Sequence, residues 1–561
     1  MPLLDGLDGL DGFVPWPAET AERYRADGTW AGEPLGELLR SQAARTPDNV
    51  ALIDGERSFT YAALDRWADR LAAGFSAAGL RAGDRAVLQL PNVAEHVAVS
   101  FAFFRIGVLP VFTLPNHRMA ELDHICGLTG ASAYVTLDRF LGFDHRGLAR
   151  SLRERHASLR HVFVVGDPGE FAPLPEAETP LDPAGATGPD ASDVAFFLLS
   201  GGTTALPKLI PRTHDDYLYQ ARTAAGICEY SEDTRYLATL PIAFNFTWGC
   251  PGVVGVFANG GAVVLSTVPD PQVCFPLIAR HGVTTTSVVP TIAHSWIAAA
   301  DGRREELATL ELVQVGSAVV HRSLAEEVGP ALTARLQQVF GMSEGLLCLT
   351  RREDAPETVL TTQGRPISPH DELRVVDAAG DEVAAGGTGE LLTRGPYTLR
   401  GYYRAEEHNA GAFTPDGFYR TGDLVRITDD GGVVVMGRAK DVIVRGGDKV
   451  SAPELEGHLT GHERIDQAAV VPMADAVLGE RTCAVIIPVG TPPTLGELRR
   501  YLRDRGLASY KFPDRVVCVE AFPKSGLGKV DKKRLVADLG LDAPPGPDAA
   551  GSDPEPAGAR S

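Results

Sequence analysis

The segment SGGTTALPK, Ser200 to Lys208, follows the apolar run VAFFLL and combines the residue types that hold a phosphate. Gly201 and Gly202 let backbone N–H groups approach an anion closely, Ser200, Thr203 and Thr204 add hydroxyl donors, and Lys208 adds charge. The spacing is not that of the G-x-x-x-x-G-K-[ST] nucleotide loop, and taken alone the stretch reads equally well as a polar turn. Four more segments carry glycine beside charged or hydroxyl residues: VFGMSEG (Val339 to Gly345), YRTGDL (Tyr419 to Leu424), GRAKDVIVRGGDKVSAPELE (Gly437 to Glu456) and KSGLGKV (Lys524 to Val530).

In this order the five segments resemble the adenylate-forming superfamily of acyl-CoA ligases, luciferases and nonribosomal-peptide adenylation domains, over roughly Phe13 to Leu535. The resemblance implies ATP-dependent activation of a carboxylic acid. A carboxylate attacking the α-phosphate brings two anions together, so such chemistry needs positioning and positive charge. By resemblance Lys529 supplies that charge, and Glu344 is the acid that holds magnesium against phosphate oxygens. Asp423 accepts from the ribose hydroxyls, as a charged double acceptor does well, and Arg438 is a further ribose or phosphate contact. Gly316, Ser317, Val339, Phe340, Gly341, Met342 and Ser343 join the Ser200–Lys208 loop around the nucleotide, and His214 in KLIPRTHDDY joins the catalytic set. Lys440 falls at the hinge about which the small domain is expected to rotate, bringing the loop with Gly446 and Gly447 toward a thiol. Outside the resemblance, each of these residues has a plainer reading as a turn, a cap, a surface ion pair or a solvated lysine beside Lys532 and Lys533.

Within the superfamily the chain is similar to stand-alone aryl-acid ligases of siderophore and related natural-product pathways. FVPWPAETAERYR, KLIPRTHDDY and LPIAFNFTWGCPGVVGVFANGG carry that likeness. The acid pocket is then expected from Phe244, Asn245, Phe246, Cys250, Gly316, Ser343 and Leu347. Asn245 stands where an amino-acid domain carries an Asp, and an amide offers a donor and an acceptor to an ortho-hydroxy carboxylate. Phe244 and Ser343 depart from the His and Ala usual in aryl-acid ligases. Cys250 and Leu347 replace the Ser and Val common where the acid is 2,3-dihydroxybenzoate. The expectation is salicylate first, with 2,3-dihydroxybenzoate, 3-hydroxyanthranilate and 3-hydroxypicolinate as alternatives. ATP and Mg2+ are the implied cofactors. The acceptor is the phosphopantetheine thiol of a separate aryl carrier protein, or coenzyme A. A catalytically silent nucleotide-binding sensor is the rival from another class.

The elements that must position these residues are legible as alternation. RAVLQL, SAYVTL, RHVFVVG and VAFFLLS are short apolar runs between helical patterns, which predicts α/β layers with strands buried on both faces. In TYAALDRWADRLAAGFSAAGL, Leu64, Trp67, Leu71 and Phe75 form a helical stripe with Arg66, Asp69 and Arg70 off it. Residues 372 to 395 and 416 to 436 read as hairpins of a β-rich subdomain. The expected fold is thus a large N-terminal domain of α/β layers with that subdomain (1–439) and a small mobile α+β C-terminal domain (440–541). Residues 542–561 contain no apolar side chain larger than Ala and are expected to form a disordered tail. Gly166 to Ala191 is expected as a surface loop.

With 561 residues and 44% hydrophobic composition, the chain is long enough for more than one domain. A formal net charge of -20 argues against a nucleic-acid partner. Seven scattered cysteines without a C-x-x-C pair fit neither a disulfide framework nor a zinc site and suit a reducing cytosol. The acidic start MPLLDGLDGLDG lacks the pattern of an export signal. Val97 to Leu114, interrupted by Arg105 and Pro110, reads as buried helix and strand, so a cytoplasmic monomer or homodimer free of membrane is expected.

Overall fold

The structure is a computed structural model that describes residues 10–181, 188–200, 207–438, 442–445, 448–475, 478–505, 507, 509–525 and 529–542. Two sheets dominate the large domain. In the nine-stranded sheet, Val50–Asp54, Ala262–Leu265, Arg235–Ala238, Thr285–Val288, Leu312–Gly316 and Arg335–Gly341 run parallel, and antiparallel strands close both edges. The six-stranded sheet pairs Arg85–Gln89, Leu109–Phe112, Ala133–Leu137, His161–Val165 and Val194–Leu199 in parallel, with Leu209–Thr213 antiparallel at one edge. The apolar runs anticipated as strands are these strands.

Helix Tyr61–Ala77 forms where its stripe predicts: Thr60 caps it by accepting from the Ala63 N–H, and Leu64, Leu71 and Phe75 are wholly buried. Asp69 is buried too, although it lies off the stripe, because Arg40 and Arg105 both pair with it. Arg105 belongs to the buried helix Ala94–Ile106, followed by strand Leu109–Phe112, in place of any bilayer span. No described helix is long and apolar enough to cross a membrane. The Gly166–Ala191 connection is surface chain in part only: Phe171 and Ala191 are buried, and a Cβ on Gly74 would lie 1.6 Å from the Pro175 carbonyl oxygen. The loop therefore needs glycine beneath it.

The hairpins form a four-stranded antiparallel sheet of Glu372–Val376, Thr388–Arg394, Tyr419–Ile427 and Val433–Arg438. Val442–Arg445 begins a different, five-stranded sheet, so sheet membership changes across residues 439–441. Lys440, Gly446 and Gly447 lie outside the described residues, as does all of the 542–561 tail except Asp542. Helices Ala452–Thr460, Leu495–Asp504 and Lys532–Asp538 accompany this last sheet around two small cores of their own. The small domain touches the large one through His294 Nε2 and Asp466 Oδ1 at 3.0 Å, and through Gly457 close to the His321 ring. Ser451 Oγ also donates to the Met436 carbonyl at 2.6 Å.

Candidate active site

Parallel strands of both large sheets end at one cavity. Ser317 and Val289 follow the carboxyl ends of Leu312–Gly316 and Thr285–Val288; Met342, Ser343 and Glu344 follow Arg335–Gly341; Ser200 follows Val194–Leu199. This is where open α/β sheets place ligands. The cavity is about 1040 Å³, and Tyr419 to Gly422 of the antiparallel sheet and Ser525, Lys529 and Asp531 of the small domain complete its wall.

One end is polar. The Ser200–Lys208 connection joins two antiparallel strands, and its stem is pinned reciprocally: Ser200 N donates to the Lys208 carbonyl at 2.9 Å and Lys208 N to Ser200 Oγ at 3.0 Å. Gly201, Gly202, Thr203 and Thr204 lie outside the described residues. The Lys208 ammonium sits 5.3 Å from the centre of the Tyr402 ring. Tyr402 donates to Glu344 Oε1 at 2.8 Å and meets the Tyr419 hydroxyl at 2.8 Å. Burial pushes the Glu344 carboxyl above its usual range, with the Tyr402 hydrogen bond opposing. Arg438 Nε pairs with Asp423 Oδ1 at 2.8 Å. Ser525 N donates to the Lys529 carbonyl at 2.7 Å. Burial pushes the Lys529 amine down to about 8, the Arg438 cation pushes the same way, and Asp423 opposes both.

The other end is largely apolar. Phe244, Asn245 and Phe246 open the short helix Asn245–Gly249, and with Cys250, Met342 and Leu347 they line the cavity. Three successive carbonyls of the wall are held by other elements: Met342 by Asn245 Nδ2 at 3.3 Å, Ser343 by Arg212 Nη1 at 3.1 Å, and Glu344 by the Leu399 N–H at 2.8 Å. Gly345 has φ +113°, and a Cβ there would stand 1.8 Å from the Tyr397 carbonyl oxygen, so only glycine fits. The Asn245 amide is more constrained than its sequence suggests, because Oδ1 already accepts from Tyr217 OH at 2.8 Å and Gln220 Nε2 at 3.3 Å.

The structure thus brings Ser200, Lys208, Ser317, Val339, Gly341, Met342, Ser343, Glu344, Arg438 and Lys529 to the cavity with Phe244, Asn245, Phe246, Cys250 and Leu347. Gly316, Phe340 and Asp423 stand beside lining residues without lining the cavity themselves. Gly316 is held in the sheet, where a Cβ would lie 2.5 Å from the Val339 carbonyl oxygen, and Phe340 packs into a core cluster. His214, expected in the catalytic set, does not line the cavity. It is 1% exposed beside Phe104, its Nδ1 accepts from the Leu35 N–H at 3.0 Å, and burial lowers its pKa to about 3, so it is a neutral acceptor in the core. Tyr402, Tyr419, Arg212, Tyr217 and Gln220 are the residues that sequence reasoning misses; Tyr419 lies inside YRTGDL and Arg212 and Tyr217 inside KLIPRTHDDY, while nothing local marks Tyr402 and Gln220.

A fold of two α/β sheets, an antiparallel subdomain and a small domain that lends a lysine to the shared cavity is that of adenylate-forming enzymes. Residues 39–403 match the model of the AMP-binding enzyme family and residues 454–529 that of the AMP-binding enzyme C-terminal domain, and the chain belongs to this family. It is 51% identical to 2,3-dihydroxybenzoate-AMP ligase of Bacillus subtilis, over 94% of this chain and 97% of that one. It is 46% identical to salicyl-AMP ligase / salicyl-S-ArCP synthetase of Mycobacterium tuberculosis, over 97% of each. The apo structure of MbtA from Mycobacterium smegmatis superposes with a TM-score of 0.73 at 47% identity, covering 94% of this chain and 99% of that one.

Proposed function

We propose that the protein joins ATP to an ortho-hydroxy aromatic acid, releases pyrophosphate, and passes the aryl group from the resulting aryl-AMP to the phosphopantetheine thiol of an aryl carrier protein. The observation that carries this reading is one cavity with Lys529 and Glu344 at its polar end and an apolar slot of Phe244, Cys250 and Leu347 at the other. The relatives named as ligases of 2,3-dihydroxybenzoate and salicylate support the acid class.

In this reading a carboxylate oxygen attacks the α-phosphorus in line with departing pyrophosphate. Lys529 offsets the charge that accumulates between the two anions, and Lys208 and the stem at Ser200 steady the phosphates. Arg438 lines the cavity as a ribose contact, and Asp423, next to the lining residue Gly422 and paired with Arg438, is the acceptor proposed for the ribose hydroxyls. Glu344 fits a magnesium site, since a buried carboxylate whose ionised form is disfavoured is stabilised by a cation. Magnesium, when bound, draws negative charge from the phosphate oxygens. The small domain then turns about Lys440, removing Lys529 and admitting the thiol, which attacks the acyl carbon and displaces AMP.

Salicylate ranks ahead of 2,3-dihydroxybenzoate because Cys250 and Leu347 are both buried in the cavity wall. The thiol is a poor partner and already takes a contact from Gln220 Nε2 at 3.4 Å, and Leu occupies more of the slot than Val. The test is ATP–pyrophosphate exchange over salicylate, 2,3-dihydroxybenzoate, 3-hydroxyanthranilate and 3-hydroxypicolinate. Exchange that depends on an aryl acid is expected; tight ATP binding without exchange for any acid would make the protein a nucleotide sensor.

A further inference from the structure

The polar groups behind Asn245 form a chain whose direction is fixed by chemistry at both ends. Arg212 is fully buried and paired with Asp216 at 2.7 Å, and its Nη2 lies 3.0 Å from Gln220 Oε1. A guanidinium only donates, so the Gln220 oxygen must face it. At the other end Gln220 Nε2 lies 2.8 Å from the Gly249 carbonyl, which only accepts. The Gln220 amide therefore has one permitted orientation, with its N–H toward Asn245. Asn245 must answer with Oδ1, which also accepts from Tyr217 OH, and this turns Nδ2 toward the Met342 carbonyl and the cavity. Both lone pairs of Oδ1 are then used. What Asn245 has left for a ligand is an N–H.

We infer that Arg212, Gln220 and Tyr217 are positioning residues that lock the Asn245 amide as a donor, so that the pocket selects aryl acids whose ortho substituent is a hydrogen-bond acceptor. This rests on the aryl-acid reading above and sharpens it. The hydroxyl of salicylate turns its hydrogen to its own carboxylate and leaves oxygen lone pairs for the Asn245 N–H. An ortho amino group presents N–H bonds, and its lone pair is drawn into the ring, so it meets Asn245 donor to donor. Anthranilate and 3-hydroxyanthranilate are disfavoured on that ground, whatever stands at the next ring position.

Tyr217 and Gln220 are 0% and 1% exposed, so their effect on substrate passes through Asn245 and, for Gln220, also through the Cys250 thiol that its Nε2 meets at 3.4 Å. The Tyr217 ring also packs the core, with a Cβ on Gly249 falling 2.5 Å from its hydroxyl oxygen, so Tyr217→Phe removes the donor and keeps the shape. Gln220→Glu keeps the acceptor for Arg212 and replaces the N–H facing Asn245 with an acceptor, which favours the reversed amide.

The experiment is pyrophosphate exchange measured as kcat/KM for salicylate and anthranilate in the wild type, Tyr217→Phe and Gln220→Glu, with thermal unfolding run alongside. The wild type is expected to prefer salicylate by about 10- to 100-fold, the scale of one buried polar group left unpaired. Tyr217→Phe should narrow that ratio and Gln220→Glu should narrow it further or invert it. A purely structural role would lower both substrates together and leave the ratio unchanged, and that outcome overturns the inference. So does a wild type that uses both acids equally well, a result needing no variant to fold. Absence of exchange with every aryl acid would instead remove the aryl-acid reading, and this inference with it.

Discussion

The two ends of the cavity are held by opposite means. At the aryl end, the carbonyls of Met342, Ser343 and Glu344 are each tied to a different element, and Gly345 is pressed against the Tyr397 carbonyl. At the phosphate end, Lys529 arrives on a domain with its own cores, seated by contacts such as His294 with Asp466 at the surface. A polar contact between two partly exposed side chains contributes little, about 0–1 kcal/mol. A specificity wall must not move, because an error of an ångström there erases discrimination. A charge needed for one half-reaction and obstructive in the next is better delivered by a shallow contact.

Four substitutions or conditions can break or sharpen this contrast. The largest effect is expected from Lys440→Pro, which fixes φ at the proposed hinge. Thioester formation should be lost while pyrophosphate exchange survives, and equal loss of both would mean that no alternation passes through this residue. Next, Cys250→Ser/Leu347→Val should raise kcat/KM for 2,3-dihydroxybenzoate relative to salicylate by roughly 5- to 150-fold, as an added hydroxyl gains a partner and space. No gain would show that both residues merely pack the wall.

Gly345→Ala probes the rigid end. It places a Cβ at φ +113° against the Tyr397 carbonyl and should lower unfolding stability by about 1–3 kcal/mol or more, with exchange falling in parallel. Chemical denaturation reads the first quantity, and an unchanged midpoint with normal exchange would show the wall to be pliable. The smallest effect concerns pH. The Lys529 amine, held at about 8, is charged below that value and neutral above it, so kcat/KM for adenylation should fall as pH rises through about 8. Arg438→Met removes one cause of the depression and should move that limb upward. A limb that stays in place would assign it to another group.

Much of this architecture is legible in sequence because it rests on local pattern. The runs RAVLQL and VAFFLLS are strands because their apolar residues fall on both faces and must be buried there, and the Gly-rich turns of 372–395 and 416–436 dictate hairpins. Side chains whose role depends on a distant partner are not legible that way. Asp69 is buried only because Arg40 and Arg105 reach it from two other helices. Tyr402 acquires its meaning from Glu344, 58 positions away. His214 sits in a motif that does line the site, yet its ring turns inward to accept from Leu35. Motif membership locates a residue along the chain; the direction of its side chain is set by the tertiary fold.

The most direct test of the central claim separates the two half-reactions in Lys529→Ala. Pyrophosphate exchange with salicylate should fall by about 10² or more, the scale of removing one preorganised charge-stabilising donor. Transfer from preformed salicyl-AMP to the carrier thiol should proceed near the wild-type rate, since the proposed rotation takes Lys529 out of the site before that step. Near-normal exchange, or equal loss of both half-reactions, would contradict the account.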